Sequence, residues 1–141
     1  MRRGRPIQII VSLCLISLLV FPALARPGKV QRIKTGMWGG DHIRLEVSAN
    51  SATIEYDCAQ GTIAGPFTID SHGNFCLKGT HMPEHGGPVR RDEEPNSKPA
   101  AYTGWTDGKK MTLKVVLEGS GDEIGTFHLN QGEQGRVWKC K

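Results

Sequence analysis

Beyond position 25 the chain contains no amphipathic helix; nowhere do apolar residues recur at the three- and four-residue spacing of a helical face. Without helices to carry crossovers, a parallel α/β fold is excluded. Catalytic signatures are missing too. No serine sits in a nucleophile elbow and no His-Glu-x-x-His occurs. The glycines near Trp38 lack the strand–turn–helix setting of a phosphate loop. Long apolar runs are scarce, and the single one covers residues 7–21.

That run is the N-terminal landmark. Arg2, Arg3 and Arg5 precede it and Pro22 follows it. Ala23-Leu24-Ala25 then places small residues where a signal peptidase reads. The layout predicts a signal peptide over residues 1–25, cleaved to release a secreted or periplasmic protein. The alternative, a retained anchor, needs about 20 apolar residues. Cys14 follows Leu13 and lies too early for a lipid-attachment site, and the arginines lack the rest of a twin-arginine signal. No stable membrane span is expected after cleavage. Cleavage leaves 116 residues, enough for one domain with its own core. The 18 Lys and Arg of the whole chain fall to 15 when the three leader arginines go, against 14 Asp and Glu. The mature charge is close to neutral, so a nucleic-acid partner is not expected.

Residues 26–141 read as a single all-β domain. His42-Ile43-Arg44-Leu45-Glu46-Val47-Ser48 alternates, and Ala52-Thr53-Ile54-Glu55-Tyr56-Asp57-Cys58 resumes the pattern. Period two puts one face inside and one outside. A two-residue loop at Ala49-Asn50 sets Arg44 opposite Glu55 and His42 opposite Asp57. A shifted loop would oppose Glu46 and Glu55, which is unfavourable. Ile63, Gly65, Phe67 and Ile69 share one parity, with Pro66 marking an edge or bulge. Phe75, Leu77 and Gly79 form the next inner face. A long solvated loop is expected over residues 83–99, and order resumes near Tyr102. Asp107-Gly108 makes a hairpin turn into Met111, Leu113, Val115 and Leu117. Phe127 and Leu129 face inward on the next strand, and residues 137–140 close the chain. Gly39-Gly40 reads as a bulge or tight bend. About eight short antiparallel strands in a meander predict a closed or nearly closed small barrel; a β-sandwich is the alternative. Trp38, Trp105 and Trp138 are expected as barrel-end plugs, or else as lining for an apolar ligand cavity.

Three cysteines remain in the mature chain. By strand parity Cys58 faces the same side as Ile54 and Tyr56, Cys140 the same side as Trp138, and Cys76 the opposite side from Phe75 and Leu77. A Cys58–Cys140 disulfide is therefore expected, with Cys76 the odd thiol; three reduced thiols are the alternative. His72, Cys76, His81 and His85 lie close in sequence and suggest copper or zinc. Pro83, however, prevents a helical pair of histidines, and Cys76 and His81 lie on different faces. No metal and no cofactor are expected. His42 with Glu55 and Asp57 on one outer face could serve acid–base chemistry, or could simply be a solvated, cross-paired surface.

Several stretches resemble a family of uncharacterised small secreted bacterial proteins: Gly36-Met37-Trp38-Gly39-Gly40-Asp41-His42-Ile43, Glu55-Tyr56-Asp57-Cys58-Ala59-Gln60-Gly61-Thr62-Ile63, Glu84-His85-Gly86-Gly87-Pro88-Val89-Arg90, Tyr102-Thr103-Gly104 and Lys139-Cys140. The resemblance supports Cys58 and Cys140 as the paired cysteines. It also places His42, Asp57, Glu84 and His85 on matching positions, which makes them the candidate site. Cys76 and His81 depart from its pattern. A looser similarity, through Gly36-x-Trp38, is to lipocalin-like barrels, and fold alone assigns no function.

The leading expectation is thus an exported, non-enzymatic, monomeric barrel-like domain that binds a small apolar ligand or a protein partner. The competing expectations are an enzyme or metal-binding protein using His42, Asp57, Glu84 and His85, and a structural envelope protein.

Overall fold

The computed structural model describes residues 28–88, 92 and 96–140. The expected leader, residues 1–25, and Val89-Arg90 of the third stretch lie outside the described residues. Among the described residues ten strands follow one another: β1 (Gln31–Arg32), β2 (Gly36–Gly40), β3 (Ile43–Val47), β4 (Ser51–Tyr56), β5 (Ala59–Ala64), β6 (Thr68–Ile69), β7 (Asn74–Pro83), β8 (Lys98–Thr106), β9 (Lys110–Leu117) and β10 (Glu123–Gln131). Eight of them form a closed antiparallel barrel in the order β10-β2-β3-β4-β5-β7-β8-β9, while β1 and β6 pair apart as a small sheet. Closure removes the free edges that an open sheet of this size would expose. The sandwich alternative is thereby set aside. No helix among the described residues is long and apolar enough to cross a membrane.

Local sequence dictates the hairpins. Val47 pairs with Ala52 around the two-residue loop Ala49-Asn50, and Arg44 faces Glu55. Inward residues of β3 and β4 are buried in strict alternation. The interior is filled by Trp38, Tyr102, Ile43, Leu45, Ile54, Ile63, Met111, Leu113, Val115 and Leu129, each with almost no exposed surface, and Phe67 is buried with them. Eight strands give a lumen just wide enough for its own side chains. Tyr102 claims room there because Gly61 and Gly79 yield it: a Cβ on Gly61 would come within 2.3 Å of the Tyr102 hydroxyl, and one on Gly79 within 2.9 Å of its ring. That hydroxyl donates to Thr80 O at 2.6 Å and receives Tyr56 OH at 3.4 Å. Burial pushes both phenol groups above their ordinary value of 10.0.

Five details differ from expectation. The strand expected over residues 63–69 breaks after Ala64, because Gly65 turns with φ +103° and Pro66 has no N–H for a ladder. Order returns at Lys98 rather than Tyr102, so the long connection spans residues 84–97; Pro99 is tolerated near the start of a strand. Gly39 and Gly40 are strand residues pairing with Arg44 and Ile43, and the bend falls on Asp41-His42. Residues 137–140 form no strand. The edge of β2 is already taken by β10, so the tail runs outside β2 instead, joined by Gly132 N–H to Met37 O and Arg136 N–H to Gly40 O. Finally, of the three tryptophans only Trp38 is a plug; Trp105 is 44% exposed and Trp138 68%.

Candidate functional site

The tail, residues 132–140, acts as a strap that lies over β2 and ends on the rim of the barrel. Gly39 makes this possible. A Cβ there would sit 2.1 Å from Gly135 N and 2.6 Å from Glu133 O, so any other residue would lift the strap. At the rim two tight turns stand side by side: Asp41-His42 between β2 and β3, and Asp57-Cys58 between β4 and β5. The second residue of each turn holds positive φ, 65° at His42 and 55° at Cys58. Non-glycine residues reach that region at a cost, and surrounding contacts must hold them there.

The strap supplies those contacts. His42 N–H donates to Arg136 O at 2.7 Å. The Asp57 carboxylate accepts Trp138 N–H at 2.7 Å on one oxygen and His42 Nδ1 at 2.5 Å on the other. The Trp138 N–H, followed by the His42 side chain, holds the Asp57 carboxyl below its ordinary 3.8. An ionised carboxylate only accepts, so the bridging proton sits on His42 Nδ1 and Nε2 points elsewhere. Arg136 donates through Nε to Asp41 Oδ1 at 2.9 Å, with Nη2 2.6 Å from the same oxygen. Lys139 donates to both oxygens of Glu84 at 3.3 Å, and Glu84 N–H reaches Cys58 O at 2.7 Å. Beneath them the Cys58–Cys140 disulfide, with Cα atoms 4.9 Å apart, pins the end of the strap.

The disulfide partners are those expected, but the reason differs. Cys58 lies in a turn and Cys140 in the strap, so they meet at the rim rather than on inward strand faces. Cys76 is a free, exposed thiol, as parity required.

Three of the four candidate residues meet at the Asp57-Cys58 turn, where Glu84 N–H reaches Cys58 O and the Lys139 ammonium acts on both the Glu84 and Asp57 carboxylates. His42 and Asp57 are brought into contact, whereas the Glu84 carboxylate is engaged by Lys139. His85 Nδ1 lies 3.1 Å from Gly86 O. Glu55 pairs with Arg44 at 3.3 Å. His81 is buried in the barrel against Tyr56, with ring centroids 5.2 Å apart. Its Nδ1 has no partner among the described residues, and burial lowers its pKa below 6.5. Among the described residues, no three His, Cys, Asp or Glu side chains group to hold a metal ion.

Beside the His42–Asp57 pair, Asp41, His42, Arg136 and Trp138 line a pocket of about 260 Å³. Among the described residues no Ser, Thr or Cys lines it. A larger groove of about 610 Å³ adjoins it between the strap and β10. Sequence reasoning misses the pairing of Asp41 with Arg136: Asp41 lies inside one of the resembling stretches but takes no role there, and Arg136 stands 95 residues away outside all of them. Trp138 is visible in the sequence, but there it reads as part of the barrel end. No protein-family model, curated protein or solved structure matches the chain.

Proposed function

We propose that this protein is an exported, non-enzymatic binding module that meets its ligand or partner on the outer rim of the barrel, beneath the strap, rather than in a barrel lumen. The carrying observation is the contrast between a lumen packed with Trp38, Tyr102 and Met111 and a rim that leaves Trp138 68% exposed. Buried aromatics are consumed by packing. An exposed one held by its own backbone hydrogen bond is available as an anchor. The disulfide accords with an oxidising compartment, as the leader-like N-terminus does. Three of the stretches that resemble the secreted bacterial family reach the same rim: residues 36–43 end there, 55–63 turn there, and 139–140 are pinned there.

Titration with palmitate and with 1-anilinonaphthalene-8-sulfonate tests the location. The filled lumen is expected to take neither. Saturable one-to-one binding of either, with quenching of buried Trp38, would overturn the rim in favour of the lumen.

A further inference from the structure

The pocket at Trp138 has a chemical character of its own. Its charged walls are already compensated within the protein: Asp41 and Arg136 pair with each other, and behind the pocket wall His42 is held by the Asp57 carboxylate. An anion at Arg136 would also meet the Asp41 carboxylate, which lies 2.6 Å from that guanidinium, and a cation at Asp41 would meet the guanidinium in turn. Neither is therefore favoured. What the walls still offer is directional. Among the described residues Asp41 Oδ2 accepts no hydrogen bond, Arg136 Nη1 donates none, and His42 Nε2 has no partner. A carboxylate oxygen accepts, a guanidinium N–H donates, and the imidazole nitrogen does either according to its protonation. Hydroxyl groups, which both donate and accept, answer such a set. Lining the same pocket is the largely exposed Trp138, whose flat apolar face with its negative quadrupole suits the polarised C–H face of a saturated ring. At about 260 Å³ the pocket lies just below the roughly 300–1,000 Å³ of drug-sized sites, a size for a single ring.

Resting on the rim as the binding surface, we infer that the pocket of Asp41, His42, Arg136 and Trp138 binds a neutral sugar ring, stacked on Trp138 and held through its hydroxyls by the three polar side chains.

The positions of these groups are set by elements that the barrel itself fixes. His42 and Asp41 are consecutive in one turn, and Arg136 and Trp138 project from the strap two residues apart. The disulfide two residues beyond Trp138 keeps the strap in place without entering the pocket. A site preorganised in this way loses little on ligand binding.

Calorimetric titration of the purified disulfide-bonded protein with chitotetraose, cellotetraose and maltotetraose tests the inference. At least one is expected to bind saturably. Trp138→Ala is expected to weaken that binding about tenfold or more, and Trp138→Phe, which keeps a stacking face, to stay within about threefold of the parent. Circular dichroism of both variants should match the parent, since Trp138 is outside the core. If no saccharide binds at millimolar concentration, or if Trp138→Ala binds as the parent does, the sugar assignment is overturned. Its failure is separable from failure of the rim reading. Palmitate entering the lumen would sink the rim, whereas an empty lumen with no saccharide bound would sink only the sugar.

Discussion

At the scale of single residues, Asp57 joins the most elements: its carboxylate holds a turn on one side and the strap on the other. Its folded pKa lies below the ordinary 3.8, so the folded protein binds that proton less tightly than the unfolded chain does. The stabilisation is therefore full above the unfolded value and fades as pH falls through the lowered folded value. Asp57→Asn should melt below the parent at neutral pH, and the two melting curves should converge in strong acid. Thermal melts across a pH series check this, and a constant gap at every pH would show that the charge adds nothing. Gly39 is the second decisive position. Gly39→Ala drives a methyl into the backbone of residues 133–135, and overpacking of this kind costs about 1–3 kcal/mol. Urea denaturation should show that loss with the barrel still formed. Neither residue announces its role in the sequence. Asp57 reads as a partner of His42 and Gly39 as a bend; their hold on the strap stays hidden because the strap returns only some 80 to 95 residues later.

At the scale of elements, the hairpins are legible in the sequence and the strap is not. The register of β3 on β4 follows from alternation, a two-residue loop and the Arg44–Glu55 pair, all within a few residues of one another. Such local rules are strong because a slip of one residue turns the buried face outward. The strap has no alternation, no free sheet edge to join and two glycines at positive φ, Gly132 and Gly135. Its course depends on isolated backbone and side-chain bonds to distant residues that no periodicity encodes. Its anchor is correspondingly covalent. The disulfide closes a separation of 82 residues, worth roughly 4 kcal/mol in the chain-entropy model. Cys58→Ser with Cys140→Ser should lower unfolding stability by about that much while far-ultraviolet circular dichroism keeps its β signature. A barrel that failed to form without the bridge would show that the strap belongs to the fold rather than to its rim.

At the scale of the whole molecule, the barrel is unevenly sewn. β7 and β8 pair continuously from Asn74–Trp105 to His81–Lys98, whereas β10 meets β2 only at Leu129–Gly40, Asn130–Gly39 and Gln131–Trp38. Native-state hydrogen exchange should find the slowest amides in β7 and β8 and faster ones at the β2–β10 seam, with reduction of the disulfide accelerating the seam selectively. Uniform protection around the barrel would contradict that ranking. The eight-strand barrel is predictable because the sequence beyond position 25 carries no helical periodicity and the strands follow in order; which strands close it, and how briefly, depends on lengths that alternation leaves open. The seam also joins the earliest barrel strand to the latest. During synthesis, the first strand must therefore wait for the last before it has a partner on its outer side. The order in which the chain is made and the order in which the ring can shut are opposed, so completion of the fold is deferred until the C-terminal segment arrives.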